Sequence, residues 1–125
     1  MPTVSQGKIL QRFLDSIGKV LEVQEEFVMY PEYDTGNFST AYDVYQRNVS
    51  PRIDAMIRRT DSVTLLVEVA PELNARIIGQ LLMARLLWNR HFHDGSVVKI
   101  IAVVEVARIE WQELAAEHDI TVVIV

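Results

Sequence analysis

The sequence contains no cysteine, which excludes disulfide bonds and thiolate metal sites. Its five glycines are scattered, so no glycine-rich phosphate-binding loop is present. The glycine-flanked serine elbow typical of many serine hydrolases is also missing. The longest apolar runs, such as residues 97–106, are too short to span a bilayer, and the N-terminus lacks the pattern of a signal peptide. These absences predict a soluble, cytoplasmic protein that does not enter a membrane.

The composition predicts one globular domain spanning residues 1–125. Half of the 125 residues are hydrophobic and 23% are charged, which is enough apolar material for a core. A net charge of −5 argues against tight, unaided binding to nucleic acid, because phosphate neutralisation supplies most non-specific affinity. Several arginines nevertheless concentrate in the middle of the chain, either as a phosphate-binding surface or as solvated partners of acidic residues: Arg47, Arg52, Arg58, Arg59, Arg76, Arg85 and Arg90.

Residues 1–50 predict an N-terminal helix followed by strands. Apolar residues recur every three or four positions after Ser5, and this spacing predicts a helix that ends near Val23. A strand is expected from Glu26 to Tyr30, a turn over 31–39, and a short strand from Tyr42 to Tyr45.

Residues 51–125 predict an α/β core with a mixed central sheet flanked by helices. The run 63–69 is apolar on both faces except at Glu68, which is typical of a central strand covered on both sides. Strands and helices then alternate, and this order favours parallel strands joined by crossover helices. The expected elements are strands at 52–59, 63–69, 97–106 and 120–125, and helices from Pro71 to about Asn89 and at 109–118.

Two acids on the first two of these strands are candidate metal ligands. Asp54 lies on one strand, and Glu68 lies within the strand expected to be most buried, where an unpaired carboxylate is costly. With the Val69 carbonyl they form a set of hard oxygen ligands suited to Mg²⁺ or Mn²⁺. A divalent ion would activate water and offset charge on a phosphodiester. An ion pair of Asp54 with Arg52 or Arg58 is the alternative.

The pattern resembles the PD-(D/E)XK nuclease superfamily, and in particular its small archaeal and RecB-type domains. The resemblance rests on Arg52-Ile53-Asp54, on Leu65 to Ala70, and on a helix containing Ile78-Gly79-Gln80-Leu81-Leu82. It implies a restriction-endonuclease-like fold, metal-dependent hydrolysis of nucleic acid, DNA rather than RNA, and a homodimer. Asp54 and Glu68 would be the acids of the motif, and Gln80 the helix glutamine directed toward the site.

The departure from this pattern is Ala70, which stands where the motif has a lysine. Alternation along the strand puts Ala70 on the same face as Glu68, so a methyl group replaces the expected cation. Lys99 and Arg76 are the candidate substitutes, and Arg52 and Arg58 are candidate nucleic-acid contacts. Three hypotheses follow: a magnesium-dependent nuclease, a catalytically inactive nuclease-fold module for binding or assembly, and an unrelated α/β interaction protein in which the motif is a coincidence. Glu22, Glu25 and Glu26, near the end of the first helix, are candidates for a third carboxylate of the kind that some relatives supply from that element.

Overall fold

A computed structural model describes residues 4–30, 50–59 and 62–125. The predicted turn at 31–39 and short strand at 42–45 lie outside these residues. The elements in chain order are α1 (Val4–Ile17), β1 (Val20–Val28), β2 (Arg52–Arg59), β3 (Val63–Glu72), α2 (Ala75–His91), β4 (Val97–Val106), α3 (Ile109–Glu117) and β5 (Ile120–Ile124).

The five described strands form one mixed sheet in the order β1-β2-β3-β4-β5. Strands β1, β2 and β3 are antiparallel neighbours, whereas β3, β4 and β5 run parallel. The parallel half is built by two crossovers, β3-α2-β4 and β4-α3-β5. The α/β class and the mixed sheet flanked by helices, both predicted from the sequence, are confirmed.

The helices cover both faces of the sheet, so the central strands are buried. Helices α2 and α3 pack on one face, around Leu81 and Trp88. Helix α1 packs on the other, where Ile9, Leu10 and Phe13 contact residues of β2, β3 and β4. None of the helices in the described part of the chain has the length and apolar character needed to cross a bilayer.

The first helix ends earlier than its apolar spacing predicts. Helix α1 stops at Ile17 rather than near Val23, and Gly18 follows with φ of +76°. Glycine adopts this left-handed conformation without steric cost and commonly ends helices. Residues Val20–Val28 then form β1 along the edge of β2, so the strand expected at 26–30 begins six residues earlier.

The helix expected to begin at Pro71 begins at Ala75. Strand β3 continues through Glu72, which lies opposite Val106 of β4, and the Leu73 N–H donates to the Val106 carbonyl at 3.0 Å. Asn74 is the N-cap, because its side-chain oxygen accepts a hydrogen bond from the Ile77 N–H at 3.1 Å. This cap sets which side chains of α2 face the end of β3.

Replacing Asn74 with alanine should lower the free energy of unfolding by about 1 kcal/mol, because the Ile77 N–H loses its acceptor. Urea denaturation followed by circular dichroism measures the change. Asn89→Ala, at an exposed position near the other end of α2, is the control and should change stability by less than half as much. Equal losses in both variants would contradict the capping role.

Candidate functional site

Asp54 and Glu68 meet where the hydrogen-bond ladder between β2 and β3 ends. The ladder pairs Arg58 with Thr64 and continues to the pair Ala55 and Val67. The next residues in this register are Asp54 and Glu68, so the two acids lie opposite each other on neighbouring strands. The antiparallel register therefore brings together the two acids that the sequence selects.

At this point each carboxyl group bonds to the other strand's backbone. The Asp54 N–H donates to Glu68 Oε1 at 3.1 Å, and the Val69 N–H donates to Asp54 Oδ2 at 2.8 Å. These side-chain bonds satisfy backbone donors that would otherwise need a partner. The arrangement fixes both carboxyl groups on one rigid part of the sheet.

Burial and the neighbouring acid keep Glu68 protonated at neutral pH. Glu68 is only 5% exposed. Its burial, together with the negative charge of Asp54, raises the pKa of Glu68 from its ordinary 4.5 to about 8. The Asp54 N–H and the positive charge of Arg76 oppose this rise. A buried acid with a perturbed pKa, beside a second acid in a cleft, marks a candidate functional site.

The two acids open into a cleft of about 360 Å³, called here the acidic cleft. Its wall is formed by the ends of β2 and β3, by the first turns of α2, and by single residues of α1 and β1. The side chains that bear on its chemistry are Gln6, Glu26, Arg52, Asp54, Glu68, Ala70, Arg76 and Gln80.

Helix α2 contributes two polar side chains, Arg76 and Gln80, to the acidic cleft. They are four residues apart and therefore project from one face of the helix. Neither side chain hydrogen-bonds or forms a salt bridge with another of the described residues, although the charge of Arg76 acts on Glu68. The structure thus brings a guanidinium and an amide to the two acids, with polar atoms available to a ligand.

Ala70 lines the same cleft and is 6% exposed. It lies on the face of β3 that carries Leu66, as the alternation of the strand predicts. Its methyl group presents neither charge nor hydrogen-bonding capacity. Of the two candidate substitutes, Lys99 and Arg76, it is Arg76 that lines the cleft.

Lys99 and Arg58 do not line the acidic cleft. The parallel register places Lys99 opposite Leu65, on the face of the sheet that α1 covers, whereas Glu68 belongs to the opposite face. Arg58 forms salt bridges with Glu22 and Asp94. Of the four cations that the sequence singles out, only Arg52 and Arg76 line the cleft.

Gln6 and Glu26 reach the cleft from distant parts of the chain. The Gln6 side chain donates to the Val69 carbonyl at 3.4 Å across 63 residues of sequence. Sequence reasoning missed Gln6, although its spacing from Ile9, Leu10 and Phe13 places it on the buried face of α1. Glu26, one of three acids considered as a third carboxylate, has φ of +52° where β1 passes Asp54.

The donor set is compatible with a divalent metal, although the ligands are few. Mg²⁺ is commonly held by one or two carboxylates, with waters completing its shell. Asp54 and Glu68 meet this need, and the Val69 carbonyl keeps a second lone pair beside its bond to Gln6. Within residues 4–30, 50–59 and 62–125, no group of three or more histidine, aspartate or glutamate side chains is arranged to hold a metal ion.

Comparison with solved structures relates this fold to a known endonuclease. A repair endonuclease from Pyrococcus abyssi superposes with a TM-score of 0.63 at 9% sequence identity. The superposition covers 100% of this chain and 47% of that endonuclease, so this chain spans about half of its length. The chain has a nuclease-like fold. At this identity the similarity concerns the fold alone, and neither a protein-family model nor a curated protein matches the sequence.

The protonated state of Glu68 predicts how stability depends on pH. Between pH 4.5 and about 8 the folded protein holds a proton on Glu68 that the unfolded chain has lost. Stability therefore falls as pH rises through this window, by an amount on the order of 5 kcal/mol for a shift of this size.

Glu68→Gln should remove this dependence, because the amide is neutral and keeps the acceptor for the Asp54 N–H. We expect the variant to be more stable than the wild type at pH 8.5 and about equal to it at pH 4.5, as measured by urea denaturation. Glu113→Gln on the exposed face of α3 is the control and should follow the wild type at both pH values. A variant less stable than the wild type at pH 8.5 would mean that Glu68 is a stabilising ionised partner of Arg76.

Proposed function

We propose that this chain is a nuclease-type domain that hydrolyses phosphodiester bonds in nucleic acid with the help of Mg²⁺ or Mn²⁺. DNA is the expected substrate, as the resemblance to PD-(D/E)XK nucleases implies. The observation that carries the proposal is the meeting of Asp54 and Glu68 in a cleft that also contains Arg76 and Gln80.

In this proposal Asp54 and Glu68 hold the metal ion, with the Val69 carbonyl as a further oxygen ligand. The burial of Glu68 beside Asp54 disfavours two negative charges side by side, and a divalent cation removes that penalty in place of the proton. When bound, the metal lowers the pKa of a coordinated water and offsets charge on the phosphate. The protein's own contribution is to hold both carboxyl groups in fixed positions before the ion arrives.

Arg76 takes the role that Ala70 cannot perform. A guanidinium keeps its charge at every physiological pH and can bond two phosphate oxygens at once. Placed near Glu68, it offsets the charge that develops on the phosphate during hydrolysis. Gln80, one turn further along α2, can orient the phosphate or the attacking water. Arg52 at the start of β2 binds the phosphate backbone beside the acidic cleft.

A catalytically inactive module is the second candidate, and Ala70 favours it. Arginine is a poorer proton donor than lysine because its pKa is higher, and Arg76 projects from a helix rather than from β3. Such a module would retain binding of the metal and of nucleic acid without turnover. The two candidates therefore share the metal site and differ only in cleavage.

Calorimetric titration with Mn²⁺ tests the metal site directly. The wild type should give a saturable binding heat, and Glu68→Gln should give none, because a neutral amide is a weak ligand for a hard cation. Glu113→Gln should bind as the wild type does. Equal heats for the wild type and Glu68→Gln would remove the basis of the proposal.

Cleavage of labelled DNA with Mn²⁺ distinguishes the two candidates. If Arg76 replaces the lysine, Arg76→Met should lower the cleavage rate by about 10² to 10³, the usual effect of removing one group that stabilises transition-state charge. Arg90→Met, on the same helix but away from the acidic cleft, should retain the wild-type rate. Metal binding without any cleavage by the wild type would establish the inactive module instead.

The homodimer implied by the family resemblance stays a prediction. Sedimentation equilibrium should give twice the monomer mass of 14.3 kDa. A monomer at all concentrations would exclude that part of the proposal without affecting the site.

A further inference from the structure

A second depression adjoins the acidic cleft, and we call it the α2 groove. It has a volume of about 400 Å³ and lies between one face of α2 and the residues that lead into β2. Ile53 and Ala84, both almost fully buried, line it together with Gly79 and Met83 of α2. Because apolar groups predominate, its surface suits a flat organic group rather than an ion.

The groove and the cleft are continuous. Four residues line both of them: Arg52, Ile53, Arg76 and Gln80. The two arginines therefore stand at the junction between an apolar surface and a pair of acids. A ligand that fits this arrangement has an anionic group at the junction and an apolar ring within a few ångströms of it. An unpaired nucleotide has both, since its phosphate and its base are joined through one sugar.

Gly79 gives the groove the form that a base requires. Glycine in the middle of a helix weakens the helix relative to alanine, so its presence in α2 needs a reason. No heavy atom lies within 4 Å of the place where a Cβ of residue 79 would stand, so packing against the rest of the protein does not demand glycine. The missing side chain instead keeps the groove open and lets a ring approach the helix backbone.

Met83 provides a soft apolar contact on the same wall. Its side chain is 45% exposed, and thioether sulfur interacts favourably with aromatic rings. The net charge of −5 makes general attraction to nucleic acid weak, so the arginine pair and the groove are a local site rather than part of a wide basic surface.

We infer that the α2 groove binds the base of an unpaired nucleotide whose phosphate lies at Arg52 and Arg76, so that the domain acts on single-stranded nucleic acid. The inference rests on the proposed function, because the phosphate it places is the one next to the acidic cleft. In duplex DNA each base is stacked and paired, and moving one into the groove requires unstacking it.

Gly79→Leu tests the groove by filling it. Residue 79 faces open space and leucine favours helices, so the variant should unfold at the same temperature as the wild type or higher. The probe is a fluorescein-labelled oligothymidylate, with calcium present to occupy the metal site, and the readout is fluorescence anisotropy. We expect about tenfold weaker binding, the scale of losing one base contact. Gly79→Ala, which fills little of the groove, should bind nearly as the wild type does.

A charge-matched pair of variants on α2 tests the groove in a second way. Met83→Glu and Leu86→Glu introduce the same charge on the same helix at similar exposure, 45% and 49%, but only Met83 lines the groove. Met83→Glu should weaken oligothymidylate binding several-fold more than Leu86→Glu. Equal effects of the two variants would overturn the inference, because they would mean that only general charge matters.

Changing the ligand separates the contribution of the base to binding from that of the phosphate. An abasic oligomer of the same length should bind wild type and Gly79→Leu equally, and more weakly than oligothymidylate binds the wild type. Oligothymidylate binding that is unchanged in Gly79→Leu, or no preference over the abasic oligomer, would overturn the inference. Gly79→Leu should bind Mn²⁺ as the wild type does. Oligothymidylate binding therefore tests the groove, and Mn²⁺ binding tests the metal site, so that failure of one is distinguished from failure of the other.

Discussion

The reciprocal bonding of Asp54 and Glu68 to each other's strand is the interaction on which the candidate site depends. It begins where the β2–β3 ladder stops, so carboxyl groups there satisfy backbone donors that a regular sheet would pair with carbonyls. This places two acids side by side on a sheet that helices cover on both faces. Mutual repulsion and burial then leave Glu68 holding a proton at neutral pH. The two acids therefore favour the binding of a proton or a cation at this end of the sheet.

The rest of the fold brings positive charge and hydrogen-bonding groups to that point. The Asn74 cap sets the start of α2, and this start determines that Arg76 and Gln80 face the end of β3. Glu26 of β1, with its positive φ, and Gln6 of α1, bonded to the Val69 carbonyl, line the cleft from the other side. Ala70 is the departure from the nuclease pattern within this arrangement. In the proposed site the cationic role passes from the strand to Arg76 of the helix, and Arg76 lines both the acidic cleft and the α2 groove.

Much of the fold could be predicted because its signals are local. The strands at 52–59 and 97–106 have the expected bounds, since apolar runs with clear ends specify them. The end of α1 could not be predicted from spacing, because Val20 and Leu21 continue the helical pattern and only Gly18 interrupts it. Likewise Pro71 resembles a helix start, whereas pairing with β4 keeps Glu72 in the strand. The acids could be selected from sequence, but Gln6 could not, because its contact with Val69 depends on how α1 packs against β3.

The central claim is that the Asp54 and Glu68 carboxyl groups form a divalent-metal site. Crystals grown with Mn²⁺ and measured at a wavelength where manganese scatters anomalously locate the ion without reference to activity. We predict one strong anomalous peak within about 2.5 Å of an oxygen of each of the two carboxyl groups, in the range of carboxylate–metal distances. A cleft without such a peak, with Glu68 still bonded to Asp54 at saturating Mn²⁺, would contradict it.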